Sequence, residues 1–177
     1  KARGSKYKPF PPNNAWWTFD FSGFRAPTRD EILASIEDAA GIMLEPPIRN
    51  IGVKGIRKLA QQVERWPRKF GSEKALLYLG QVIRMQEEIG TGGAGFRFIY
   101  AAFLQQAADV LATPRFAELA SEMTAIGDHW RQFAVAGARN CKGRARPGDS
   151  YAAMAAILNQ CADREAALYK DLLALAA

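Results

Sequence analysis

Two stretches in the C-terminal half restrict the fold of this chain more than any other feature. Phe116, Leu119, Met123, Ile126, Trp130, Phe133 and Gly137 recur at alternating spacings of three and four, and Met154, Leu158, Cys161, Glu165, Leu168, Leu172 and Leu175 repeat the rhythm. That spacing writes a seam along one side of a helix, a surface that must be covered by another helix. Only a polar loop at residues 142–148 separates the two seams, with Asp149 or Ser150 placed to start the second helix. Two long helices joined by a short loop pack as an antiparallel hairpin. Glu165 interrupts the second seam and should land near Ile126 to Trp130, where Gly127 leaves room; solvent exposure at a frayed seam is the simplest account of it. Trp130 reads as a core anchor, and His129, beside the seam, as a surface or capping residue.

Upstream, helical periodicity returns four times. Thr28-Arg29-Asp30-Glu31 is a capping box, followed by Ile32, Leu33, Ile36, Ala39, Ala40 and Met43, and Pro46-Pro47 end this helix near Leu44. A second helix covers residues 53–65 with Val53, Ile56, Leu59, Ala60 and Val63 inward, and Trp66-Pro67 closes it. Ser72 caps a third, carrying Ala75, Leu76, Leu79, Val82, Ile83 and Gln86 on one side. The fourth, residues 96–112, is apolar nearly all round and is expected in the middle of the fold. The architecture implied is an all-α bundle of about six helices, orthogonal and antiparallel, ending in the long hairpin. At 177 residues this is one domain, residues 28–177, behind an irregular arm, residues 1–27.

Between the third and fourth helices lies Glu87-Glu88-Ile89-Gly90-Thr91-Gly92-Gly93-Ala94-Gly95-Phe96-Arg97. Its glycines satisfy G-x-G-x-x-G, yet a dinucleotide loop follows a strand and this one follows a helix, so that reading fails. One alternative makes Gly90 a helix C-cap and the others points of close helix approach. In the other, the amides of residues 92–96 with Arg97 hold a carboxylate, phosphate or thioester oxygen. Glu87 and Glu88 oppose the dipole of the helix they end, which asks for compensation: Arg84 for Glu88, and Arg97 reaching back to Glu87. Gly92, Gly93, Gly95, Arg97, Glu87, Glu88 and Tyr100 are therefore the candidate substrate- or anion-binding residues.

The arm combines prolines with six aromatics between Pro9 and Phe24, and either wraps its own domain or packs on another. A chain that opens on such an arm, at Lys1, reads as a piece of something longer. Net charge is +6, with basic residues at 1–8, 49–74 and 139–146. No nucleic-acid motif accompanies them, so a solvated surface is preferred to a nucleic-acid footprint. No apolar run has the length of a membrane span, and the cytoplasm is the simplest location. Cys141 and Cys161 lack CxxC spacing and, with a single histidine, no structural zinc site is indicated; no cofactor is. Cys141 falls at a helix C-terminus, where the dipole opposes a thiolate, and Cys161 in an apolar seam, so neither is read as a nucleophile.

Trp17-Thr18-Phe19-Asp20-Phe21, the run from Pro46-Pro47-Ile48-Arg49-Asn50-Ile51-Gly52 to Val53-Lys54-Gly55-Ile56, and the glycine stretch with Tyr100 and Phe103 resemble the C-terminal region of butirosin biosynthesis protein H-like proteins. The resemblance covers nearly the whole chain. It implies the helical part of a cysteine-dependent acyltransferase or amidohydrolase, following a papain-like domain that carries the nucleophile, so that this chain alone would be inactive. Partners implied are that upstream domain, an acyl carrier protein meeting the basic segment 49–74, and a small-molecule amine. A non-catalytic interaction domain, or a homodimer formed through the paired helices and the arm, is the competing expectation.

Overall fold

The computed structural model describes Trp16 and residues 18–176. They form six α-helices: α1 (Arg29–Leu44), α2 (Gly52–Phe70), α3 (Ser72–Glu87), α4 (Arg97–Val110), α5 (Arg115–Cys141) and α6 (Tyr151–Ala176), with short 3-10 turns at Ala94–Phe96 and Pro147–Asp149. There is no strand among the described residues, and the fold is an all-α bundle. No helix of the described residues is long and apolar enough to cross a membrane.

The hairpin forms as the seams require. Arg115 meets Asp171, Glu122 meets Arg164 and Arg139 meets Asp149 just before α6, so partners advance along α5 as the chain beyond it is read backwards. All seven seam residues of α5 are buried, as are six of those on α6, the exception being Leu175 near the chain end. The helix with neighbours on most sides is α6, which packs against α1, α2 and α5. That corrects the expectation for α4, which packs mainly along α5 and leaves Ile99 and Val110 largely in solvent. The residues α4 buries, Ala101, Leu104, Ala107 and Ala108, form one face, and its other apolar side chains are only partly covered.

Thr28 builds the capping box: its hydroxyl accepts from the Glu31 amide at 3.3 Å, and Glu31 accepts the Thr28 amide at 2.8 Å. The helix α2 runs one turn past Pro67, because a proline there forfeits a single hydrogen bond, and it stops at Gly71, whose φ of 79° no other residue takes readily. Gly71 rather than Ser72 is thus the boundary before α3. The space at Gly127 goes to the Phe98 ring, which an added Cβ would meet at 2.7 Å, and not to Glu165.

In the arm, residues 1–15 and Trp17 lie outside the described residues, and with them the basic cluster 1–8. Trp16, Phe19, Phe21 and Phe24 are exposed, so this part of the arm does not wrap its own domain.

Candidate functional site

The glycine stretch is a tight turn that brings the end of α3 and the start of α4 onto α5 and α6. Its backbone is held by side chains from within. The Thr91 hydroxyl donates to the Gln86 carbonyl and accepts the Gly93 amide at 3.2 Å. Glu87 accepts the Ala94 amide at 3.1 Å and the Gln86 side-chain amide at 2.8 Å, and Gln86 also donates to the Trp130 carbonyl at 2.9 Å. Glu87 therefore answers the turn that follows its own helix, and the Gly93 and Ala94 amides are already engaged. Glu88 points to Arg84 at 3.8 Å, both exposed, as the i, i+4 spacing requires.

Arg97 does not reach back to Glu87. Its Nε and Nη2 form a fork with Glu165 at 3.0 and 2.9 Å, and its Nη1 donates to the Gly95 carbonyl at 2.9 Å. The cation near Glu87 is instead Arg131, at 3.9 Å. A Cβ on Gly95 would stand 2.7 Å from Arg97 Nη1, so a side chain there would push the guanidinium aside, and the φ of 55° itself favours glycine. Glu165 is not solvated but wholly buried, and Trp130 Nε1 donates to it at 2.7 Å while the Trp130 ring lies 4.5 Å under the Arg97 guanidinium. A buried carboxylate must be paired, and here both oxygens are. Burial alone would lower the Arg97 pKa, but Glu165 more than offsets it and the pKa lies above its usual value.

Beside this pair opens a pocket of about 340 Å³, lined by Ala39, Ile42 and Met43 of α1, by Gly95, Phe96, Arg97 and Tyr100, and by Tyr169 of α6. The helix α4 starts at Arg97 because Phe96 is left-handed, with φ 72°. That conformation costs an L-residue roughly 1–2 kcal/mol. The Tyr100 and Tyr169 rings meet at 6.0 Å, tilted by 38°; burial pushes Tyr100 up to about 12 and, with Glu165 nearby, raises Tyr169 too, so both are neutral phenols.

Of the residues singled out in the sequence, Gly95, Arg97 and Tyr100 line this pocket, Gly93 and Glu87 face Arg131 at a separate surface depression, and exposed Gly92 and Glu88 stand apart. Sequence reasoning missed Ile42, Met43 and Tyr169, and counted Phe96 only for its backbone amide. The spacing of Glu165 and Tyr169, four residues apart on α6, was the readable sign of a shared helix face. His129, beside the seam, is half-buried, and its Nδ1 lies 2.9 Å from both Arg164 Nη1 and the Ala125 carbonyl. Desolvation raises both cysteine thiols, Cys161 to about 12, so neither is a ready thiolate. Among the described residues no group of His, Cys, Asp and Glu is arranged to hold a metal.

A larger open groove, about 830 Å³, runs along the basic face of α2 by Pro46, Pro47, Arg49, Lys54, Arg57 and Lys58. Several of its cations are engaged locally, Lys54 with Glu45 and Arg57 with Asp163. It is solvated, and its chemistry is less specific than that of the smaller pocket.

Residues 1–172 match the family described as a domain of unknown function, DUF4872. The chain belongs to the DUF4872 family. No curated protein and no solved structure matches it. This DUF4872 domain thus presents one pocket in which an apolar wall meets a buried, charge-balanced polar cluster.

Proposed function

We propose that this domain is the helical part of a cysteine-dependent acyltransferase or peptidase-like enzyme of the butirosin biosynthesis protein H-like kind, working in the cytoplasm. In this reading it supplies the substrate-binding wall to a nucleophile carried on another domain. The observation that carries it is the pocket at the glycine turn, where apolar side chains of α1, Phe96 and the Tyr169 ring of α6 converge on Arg97 and Tyr100. The resemblance of the same turn to that family adds the chemistry. A cysteine thiolate attacks an acyl thioester, forming a new carbon–sulfur bond as the carrier sulfur leaves as a thiolate. An amine then forms the carbon–nitrogen bond of the amide, the cysteine leaves as a thiolate, and the proton the amine gives up neutralises the carrier thiolate. The basic face of α2 is the surface we assign to an acidic carrier protein.

The full-length protein, incubated with an acyl thioester, should gain one acyl mass on a cysteine outside residues 1–177. A label on Cys141 or Cys161, or no label at all, would reject the reading. Ile42→Trp, which narrows the pocket mouth, should raise KM by about tenfold with the circular dichroism unchanged.

A second reading, a protein-interaction or dimerisation domain, is favoured by the exposed Trp16, Phe19, Phe21 and Phe24. Sedimentation separates the two. A stable dimer that protects Trp16 from quenching supports interaction, and a monomer whose arm stays exposed does not.

A further inference from the structure

Two residues lining the pocket at the glycine turn carry costs that their own chain does not offset. The Tyr100 hydroxyl is buried with no hydrogen-bond partner among the described residues. Buried hydroxyls almost always have one, and an orphan costs roughly 1–3 kcal/mol. Phe96 is held in the left-handed region at φ 72°, yet its side chain remains 54% exposed. Strain of this kind persists where the surroundings enforce it and gathers at ligand sites. Both residues, with the half-exposed Ile42, face one space.

Charge decides what that space accepts. Arg97 is the one charged side chain lining it, and Glu165 matches that charge from within the fold. The Tyr100 and Tyr169 phenols are neutral. Three guanidinium N–H groups are spent on Glu165 and the Gly95 carbonyl. A guanidinium has five, so two remain. A carboxylate entering here would bring a second negative charge toward Glu165, and an ammonium would meet Arg97; neither would find a compensating ion for its lost hydration. A carbonyl oxygen accepts N–H or O–H bonds without adding charge, and the chain behind it would cover Ala39, Ile42, Met43 and Phe96.

We infer that the pocket binds an uncharged acyl group, its carbonyl toward Arg97 and Tyr100 and its alkyl or aryl part between Phe96 and α1. This rests on the acyl-transfer reading above and deepens it by naming the acyl part of the substrate as neutral and apolar.

The test uses the 177-residue chain and three probes of one length: hexanamide, hexanoate and hexylamine, followed by amide chemical shifts. Hexanamide should shift the Gly95, Phe96 and Tyr100 signals saturably, and the two charged probes should bind at least about tenfold more weakly. Phe96→Gly accepts the positive φ without strain and should weaken hexanamide about tenfold while the fold is unchanged. Should that variant lose its fold, Ile42→Ser at the solvent-facing rim replaces it with the same expectation. Hexanoate binding as tightly as hexanamide, shifts confined to other parts of the surface, or no saturable shift with any probe would overturn the inference. No nucleophile is needed in this experiment, so its failure leaves the acyl-enzyme test standing, and failure of that test leaves the pocket's selectivity measurable.

Discussion

Two arginine–carboxylate forks brace the helical hairpin at different depths. At the loop end, Arg139 Nε and Nη2 donate to Asp149 at 2.7 and 2.6 Å, the Arg146 amide adds a bond at 2.8 Å, and Asn140 holds the Asp149 carbonyl at 2.7 Å. Every partner lies within ten residues of Asp149, and the Arg139 side chain keeps 30% of its surface in water. Arg97 and Glu165 form the same fork across 68 residues, with the Glu165 side chain wholly buried. The first pair shapes one loop, and water can replace what it loses. The second ties α4 to α6 and, through Trp130, to α5, so nothing replaces either partner.

The sharpest way to break this comparison is to remove one carboxylate at a time. Glu165→Ala strands a buried guanidinium and orphans Trp130 Nε1, and the expected loss is about 3–5 kcal/mol in urea unfolding. Arg97→Met combined with Glu165→Leu should recover most of that loss, because paired apolar replacements leave no stranded charge. A loss in the double variant as large as in Glu165→Ala would show that the fork itself stabilises the fold. It follows that Arg97→Ala is a poor probe of function, since it confounds binding with a stranded Glu165.

Asp149→Ala should do less, and locally: faster amide exchange in the first turn of α6 and in the 142–150 loop, with the core of α5 unchanged. Arg139 holds the Asp149 carboxyl down to about 2, below its usual value near 4. A depressed folded pKa means the contribution is complete above about 4 and disappears as pH falls through about 2. Protection of that loop should therefore fall over the same window in the wild type and be flat in the variant. Exchange spreading to Met123 or Ile126 would mean that the loop pair supports the whole hairpin.

Legibility in the sequence follows the same division. The capping box at Thr28, the hairpin and its seams, the Arg84–Glu88 contact and the loop before α6 all depend on partners within one or two turns or on a strict period, and a string displays those. Arg97 and Glu165 were each conspicuous, one after a run of glycines and the other inside an apolar seam, yet nothing in the string says that they meet. Proximity in sequence favoured Glu87 for Arg97. In the fold Glu87 is drawn to the Ala94 amide, while the carboxylate that Arg97 meets is Glu165. The apolar wall from α1 was invisible for the same reason, and the central place expected for α4 failed because apolarity states what a helix tolerates and not how much of it the others cover.

The smallest expected effect tests the pocket's edge against the pair behind it. Glu165 is satisfied on both oxygens, whereas the Tyr100 hydroxyl a short way along the same lining has no partner. Tyr100→Phe should therefore raise stability by about 1 kcal/mol, because it removes a desolvation cost without breaking a bond. It should also flatten the alkaline limb of the stability profile. Burial lifts the Tyr100 phenol to about 12, whereas an unfolded tyrosine ionises near 10. The folded state then holds its proton longer than the unfolded one, so wild-type stability declines as pH rises from about 10 to about 12, and the variant loses that part of the decline. Thermal unfolding of both proteins across that range measures it. A less stable Tyr100→Phe would mean that the hydroxyl is bonded in the free protein, and the pocket would then have one fewer donor to offer a carbonyl.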